Sequence, residues 1–192
     1  MLARSQSSAL IVVFVTACLF SCSRNEPKQF YNSADPDVRS HRGITYLKTT
    51  PVTGVVFTLN DAGDTLVVCS YTEGKPDGVE RQYWNKDQVR SIRYYTAGWK
   101  TGEHRGWYAN GKPSFVYHFT DDMFDGNQKE WLENGQLYSD LNFERGTEIG
   151  LQRMWYADGT IKANYIVKNN RRYGLLGTKN CINTADSVLN RL

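Results

Sequence analysis

From residue 54 onward, apolar and polar positions recur with a period of 24. Gly54, Gly78, Gly102, Gly126, Gly150 and Gly174 stand 24 residues apart, without insertion or deletion. Numbering each unit from its glycine as phase 0, phase 5 holds Leu59, Tyr83, Trp107, Trp131 and Trp155. Phases 8 and 9 hold Ala62-Gly63, Lys86-Asp87, Asn110-Gly111, Asn134-Gly135 and Asp158-Gly159. Phase 17 holds Tyr71, Tyr95, Phe119, Phe143 and Val167, and phase 20 holds Gly74, Gly98, Asp122, Gly146 and Asn170. A fixed period of this length marks a repeat architecture, and it decides the fold before any single element does.

Each unit predicts a β-hairpin. Asn-Gly and Asp-Gly favour a two-residue type I′ turn, in which both central residues take positive φ. Phases 1–7 then form one strand and phases 10–17 the next, and phases 18–23 make a longer turn to the following unit. That turn predicts a register in which opposed phases sum to 17. Phase 6 then faces phase 11: Trp84 with Val89, Tyr108 with Pro113, Leu132 with Leu137, Tyr156 with Ile161. Phases 13, 15 and 17 share that side (Phe115, Tyr117, Phe119, Leu141, Phe143), which makes it the expected buried face. The phase 0 glycine is expected to make room for the phase 17 ring.

The fold class that follows is all-β, a single-layer antiparallel meander or solenoid of about five hairpin repeats over residues 44–177. Ten strands about 4.8 Å apart give a ribbon of roughly 45–50 Å. Open ends need caps. An extra strand is expected at Ile44–Pro51, and residues 178–192 are expected to cap the far end, with a short helix at Thr184–Leu192.

The opposite face carries phases 1, 3, 5, 12, 14 and 16. Its ring stripe is Tyr83, Trp107, Trp131 and Trp155, and its basic stripe is Arg81, Arg105, Lys129 and Arg153. Cations beside aromatic rings suit a partner-binding surface. The same stripes also suit a building device, because long basic stems cover rings in a thin sheet and any such residue must recur with the period.

The first 43 residues follow another pattern. Arg4 precedes the apolar run Ala9–Phe20, broken only by Thr16. Twelve residues are too few to span a bilayer and suit a signal sequence. Leu19-Phe20-Ser21-Cys22 resembles a lipobox, which implies cleavage before Cys22 and its lipidation; an ordinary secretory signal is the alternative. Residues 1–21 are thus expected to be a lipoprotein signal. Residues 22–43, polar and without periodicity, are expected to be a flexible, disordered tether. The chain would be exported and lipid-anchored to a bacterial membrane, the outer ahead of the inner, facing the periplasm or the cell surface.

Composition adds limits. The 192 residues include 25 aromatic ones (8 Phe, 5 Trp, 12 Tyr) but only 3 His and 4 Cys. A formal charge of +3 is too near balance to argue for nucleic acid. Cys69 and Cys181 either pair or leave Cys69 as a buried free thiol. His104 and His118 fall on opposite faces, which makes them poor co-ligands, and Asp121, Asp122 and Asp125 read as a solvated turn. No metal, cofactor or catalytic residue is expected.

The units Gly102–Lys112 (GEHRGWYANGK) and Gly126–Gln136 (GNQKEWLENGQ) resemble the MORN-repeat variant family, whose bacterial members include YwqK-type proteins labelled as antitoxins. Pro51–Val56 resembles that family's first repeat, and unit two departs from it at Lys86-Asp87. The resemblance implies a β-sheet repeat, association with proteins or membranes, and no catalytic residues. The expected function is a non-catalytic binding or scaffolding module with an envelope protein as partner. An antitoxin is one alternative, which export disfavours, and an envelope enzyme acting on glycan or peptide is another.

Overall fold

The computed structural model describes residues 28–177, and every regular element in that range is a strand. The chain opens with β1 (Phe30–Asn32), β2 (Val38–His41), β3 (Ile44–Leu47) and β4 (Thr50–Pro51). The repeats follow as β5 (Gly54–Leu59), β6 (Thr65–Thr72), β7 (Lys75–Asn85), β8 (Gln88–Thr96), β9 (Trp99–Lys100), β10 (Gly102–Trp107), β11 (Pro113–Thr120) and β12 (Met123–Phe124). The last are β13 (Gly126–Trp131), β14 (Leu137–Glu144), β15 (Thr147–Glu148), β16 (Gly150–Trp155), β17 (Ile161–Lys168) and β18 (Arg171–Leu175). Strands β5 to β18 form one long antiparallel meander, and β1 joins its first edge in parallel. Strands β2, β3 and β4 form a separate three-stranded sheet.

The predicted register holds over most of each hairpin. Gly102 faces Phe119, His104 faces Tyr117 and Gly106 faces Phe115, all phase pairs summing to 17. A bulge then intervenes, and Trp107 faces Pro113. The same shift sets Trp131 opposite Leu137 and Trp155 opposite Ile161. Phase 11 therefore opposes phase 5, not phase 6, and lies on the tryptophan face.

The cause is the turn. Tyr108 and Lys112 close the loop through a backbone bond of 2.9 Å, and the Gly111 N–H returns to the Tyr108 carbonyl, also at 2.9 Å. Of the loop residues only Gly111 has positive φ, at 80°. This is a three-residue loop with a glycine bulge, in place of the predicted two-residue turn. The two-residue turns occur at the other end of the unit. Phases 19 and 20 both have positive φ (Ala97 49° and Gly98 94°; Arg145 45° and Gly146 79°), and Thr96 there faces Trp99. Both are type I′ by that criterion, so the long turn expected at phases 18–23 is a tight hairpin.

These tight turns stack. The phase 20 N–H donates to the phase 22 carbonyl of the preceding unit: Gly74 to Val52 (2.7 Å), Gly98 to Pro76 (2.8 Å), Asp122 to Lys100 (3.1 Å) and Gly146 to Phe124 (2.7 Å). The acidic turn is part of this structure, because the Asp122 Oδ1 also accepts from the Lys100 N–H at 2.6 Å.

The phase 0 glycine does not make room for the phase 17 ring; the ring that approaches Gly54 is that of Tyr31, 3.0 Å from a Cβ position there. A Cβ on Gly102 or Gly150 would meet nothing within 4 Å, whereas their φ values of 69° and 60° are left-handed. The ring-clearing glycine is Gly106 at phase 4, where a Cβ would sit 2.1 Å from the Phe115 ring.

The stretch expected to be a tether is ordered from residue 30. Its Asn, Asp and Pro residues make turns: Asn32 Oδ1 accepts from the Ala34 N–H (3.0 Å) and Asp35 Oδ1 from the Asp37 N–H (2.9 Å). A polar run without periodicity is thus a local hydrogen-bonded connection between β1 and β2. The extra strand expected at Ile44–Pro51 is two short strands, β3 and β4, and neither joins the long sheet. The signal, Cys22, Cys181 and the C-terminal cap lie outside the described residues.

Candidate functional site

The two faces of the sheet differ in chemistry. The inner face carries phases 2, 4, 13, 15 and 17, and Cys69, Ser91, His104, Gln128, Ser139, Gln152, Ala163 and Tyr165 are all buried on it. Its aromatic band runs from His104 to Phe119 (centroids 4.7 Å apart), then to Phe124 (4.9 Å) and on to Phe143 (5.4 Å).

In units three to five, phase 2 of this face (His104, Gln128, Gln152) is polar for a structural reason. Gln152, 0% exposed, accepts from the Asn142 N–H through Oε1 (3.0 Å) and donates through Nε2 to the carbonyls of Asn142 and Ile149 (2.7 Å each). Gln128 clasps His118 in the same way, at 2.8 and 3.0 Å. Where the sheet ladder breaks between units, a side-chain amide replaces a backbone one and satisfies the phase 16 residue of the preceding strand. The two glutamines share a phase, so the period marks them as a pair, but a polar residue on an aromatic strand face does not announce a clasp.

His104 takes this place in the preceding unit. Its Nε2 lies 3.1 Å from the Tyr94 nitrogen and 2.9 Å from the Tyr94 carbonyl oxygen, and one nitrogen satisfies only one of them at a time. Burial lowers its pKa from the usual imidazole value, with backbone bonding acting in the opposite sense. The unfolded ring, with a pKa of about 6.5, therefore takes up a proton before the folded one does. Stability from this site is complete above about pH 6.5 and is lost as pH falls from there toward the folded value. His104→Gln should melt no lower than the parent at pH 7, and its melting temperature should fall less between pH 7 and pH 5. Calorimetry at the two pH values measures both.

The tryptophan face holds the predicted stripes, and the structure aligns them. Arg81, Ile92, Arg105, Val116, Lys129, Asp140 and Arg153 are consecutive cross-strand neighbours, each opposite the next. Cations thus alternate with Ile92 and Val116 and, farther on, with Asp140. Arg153 reaches Asp140 at 2.6 Å and lies 5.6 Å from the centre of the Trp155 ring. Burial opposes the charge on Asp140, but hydrogen bonds from Asn127 and Arg153, with Lys129 and Arg153 as nearby cations, hold its pKa below the usual carboxylate range. Arg105 pairs with Glu103, which also meets His118 at 3.3 Å. Among the described residues Arg81 and Lys129 have no ion pair. Tyr83, Trp107, Trp131 and Trp155 stand half-buried beside this row.

His118 is on this face and His104 on the other, as their phases require. Two concavities complete the surface. One, about 270 Å³, lies between the small sheet and the first units, lined by Ser33, Ser40, Thr45, Thr58, Cys69, Tyr71 and Glu80, among others. Its hydroxyls pair with each other, Ser33 with Thr58 at 2.8 Å and Ser40 with Thr45 at 2.9 Å. Among the described residues Cys69 has no disulfide partner, and burial, with Glu80 nearby, pushes its pKa up to about 12. A thiol that stays protonated at neutral pH is not an activated nucleophile. The other, about 640 Å³ and open, runs along Phe143, Gly146, Thr147, Glu148, Val167, Asn170 and Arg172.

The period, the hairpin unit and the stacked tight turns now meet in one segment. Residues 124–145 match the MORN repeat variant family. The match begins at the phase 22 residue Phe124, whose carbonyl accepts from the next tight turn, and ends at Arg145 within that turn. The matched segment thus contains one whole hairpin, β13 and β14, together with the Phe124 carbonyl that accepts from Gly146 in that hairpin's closing turn. MORN repeats generally serve as binding modules for proteins or membranes. No curated protein matches the chain.

Proposed function

We propose that this chain is an exported, lipid-anchored repeat protein of the bacterial cell envelope that binds a partner protein through its tryptophan face. The observation that carries the reading is the aligned row of Arg81, Arg105, Lys129 and Arg153 beside Tyr83, Trp107, Trp131 and Trp155. Nothing among the described residues packs over it. Half-buried rings and desolvated cations concentrate binding energy when a partner covers them. Anchoring rests on the signal-like run Ala9–Phe20 and on Cys22 as the acylated residue. The role is non-catalytic: the binding energy lies in a flat, repeated surface and not in a pocket with an activated group.

Quantitative capture from envelope extracts tests this. The full chain should retain a discrete protein, and Trp107→Ala with Trp131→Ala should lose it while still folding cooperatively. Equal capture by the folded double variant would reject the tryptophan face as the site.

A further inference from the structure

The aromatic band of the inner face stops one unit short of the end of the array. Phe124, at phase 22, lies between the rings of Phe119 and Phe143, with centroids 4.9 and 5.4 Å away. One unit on, Glu148 stands where Phe124 does and Val167 where Phe143 does. A carboxylate and a valine fill less space than two rings. The open concavity of about 640 Å³ lies at this step, with Phe143, Val167, Glu148, Asn170 and Arg172 in its lining.

The stack of tight turns breaks at the same place. The phase 20 bonds made by Gly74, Gly98, Asp122 and Gly146 have no counterpart from the Asn170 N–H to the Glu148 carbonyl. At phase 23, Asp77 and Asp125 accept from the N–H groups of Ala97 (3.3 Å) and Arg145 (3.4 Å) in the following turn. Ile149 holds that phase before the last turn and has no acceptor to offer. The last turn is thus not tied to its predecessor, and the cavity opens between them.

A guanidinium is held in place at this cavity. Arg172 donates to the Glu148 Oε2 through Nε (3.0 Å) and Nη2 (2.9 Å), and its Cζ lies 5.5 Å from the centre of the Tyr165 ring. The Tyr165 hydroxyl donates to the same carboxylate at 3.2 Å. One edge of the planar guanidinium is therefore taken. The other edge, Nη1 with the second Nη2 hydrogen, has no partner among the described residues. Such an edge matches a carboxylate through two parallel bonds. Glu148 already accepts from Arg172 and Tyr165, so what the cavity lacks is an acceptor for Arg172 and a ring beside Phe143.

We propose that this cavity binds a small aromatic carboxylate, its ring against Phe143 and Val167 in line with the inner band and its carboxylate on the outer edge of Arg172. The volume falls in the range of about 300–1,000 Å³ usual for small-molecule sites. Glu148 and Tyr165 are positioning residues, which fix the plane of the guanidinium. The site lies on the face opposite the tryptophan row and does not depend on that row having a partner.

The test is a ligand-observed NMR titration of the full chain with phenylacetate, which should saturate in the low millimolar range expected for so few atoms. Acetate, without the ring, and phenylacetamide, without the charge, should each bind about tenfold more weakly. Val167→Phe supplies the missing ring from the chain itself and should abolish binding. Arg172→Gln should weaken it about tenfold. Arg171→Gln makes the same change of charge one residue away, on the opposite face of β18, and should leave binding unchanged. Melting of each variant is recorded alongside, and Arg172→Gln, at an exposed position, decides the outcome if Val167→Phe melts below the parent. The proposal is overturned if phenylacetate shows no saturation by about 20 mM, if folded Val167→Phe or Arg172→Gln binds as the parent does, or if Arg171→Gln loses as much as Arg172→Gln.

Discussion

Gln152→Leu should lower the melting temperature by about 4–12 °C, although leucine is larger in apolar area and the site is fully buried. The substitution removes the acceptor of the Asn142 N–H and the donor to the carbonyls of Asn142 and Ile149. The Asn142 carbonyl keeps one partner, the Ile149 N–H at 2.9 Å. The Asn142 N–H and the Ile149 carbonyl lose theirs at the break in the ladder. Leaving buried backbone groups unpaired costs about 1–3 kcal/mol each, and the apolar gain of leucine offsets part of it. A net loss of roughly 2–4 kcal/mol corresponds to the stated shift in a chain of this size. Gln136→Leu provides the contrast. Gln136 also bonds a backbone carbonyl, that of Tyr156 at 2.8 Å, but in an exposed setting where water replaces it. Its shift should stay within about 2 °C.

Gly74→Ala should be at least as damaging, for a different reason. Gly74 has φ of 77°, and a Cβ there would lie 2.4 Å from the Ile44 Cγ2 and 2.7 Å from the Thr45 carbonyl oxygen. Its backbone also joins the small sheet to the array, donating to Val52 at 2.7 Å and accepting from the Thr45 N–H at 2.8 Å. A left-handed alanine costs about 1–2 kcal/mol. The clash with β3 adds about 1–3 kcal/mol unless the small sheet detaches. Gly43→Ala separates the two effects. Gly43 has φ of 79°, but nothing lies within 4 Å of its Cβ position. It should show the backbone cost alone. Equal losses at Gly43 and Gly74 would mean that the small sheet is not packed on the first repeats.

How far the fold can be read from the sequence depends on which residues carry the information. The spacing of Gly54 through Gly174 specifies the repeat and hairpin count, and the alternation of Phe115, Tyr117 and Phe119 identifies the inner face. Turn chemistry misleads at both ends of the unit. Asn110-Gly111 suits a two-residue turn, yet only its glycine takes positive φ, as the last residue of a three-residue loop. Ala97-Gly98 and Arg145-Gly146 give little hint of a type I′ turn. Their left-handed residues are held by bonds from the neighbouring unit, such as Gly98 to Pro76, and that compensation is invisible locally. The clasps of Gln128 and Gln152 are also non-local, because each meets its partner from the preceding strand. The candidate face was legible as a stripe of residue types. Its alignment into one cross-strand row, and the partial neutralisation of Arg105 and Arg153, required the register.

The central claim is that the tryptophan face, and not the inner face, meets the partner. Site-specific photo-cross-linking in intact cells tests it directly, with an aromatic cross-linker replacing Trp131 on one face or Tyr117 on the other. Both positions already hold a ring, so the substitutions disturb packing similarly. A discrete protein adduct from position 131 and none from position 117 is the expected result. An adduct from position 117 with none from position 131 would contradict the account.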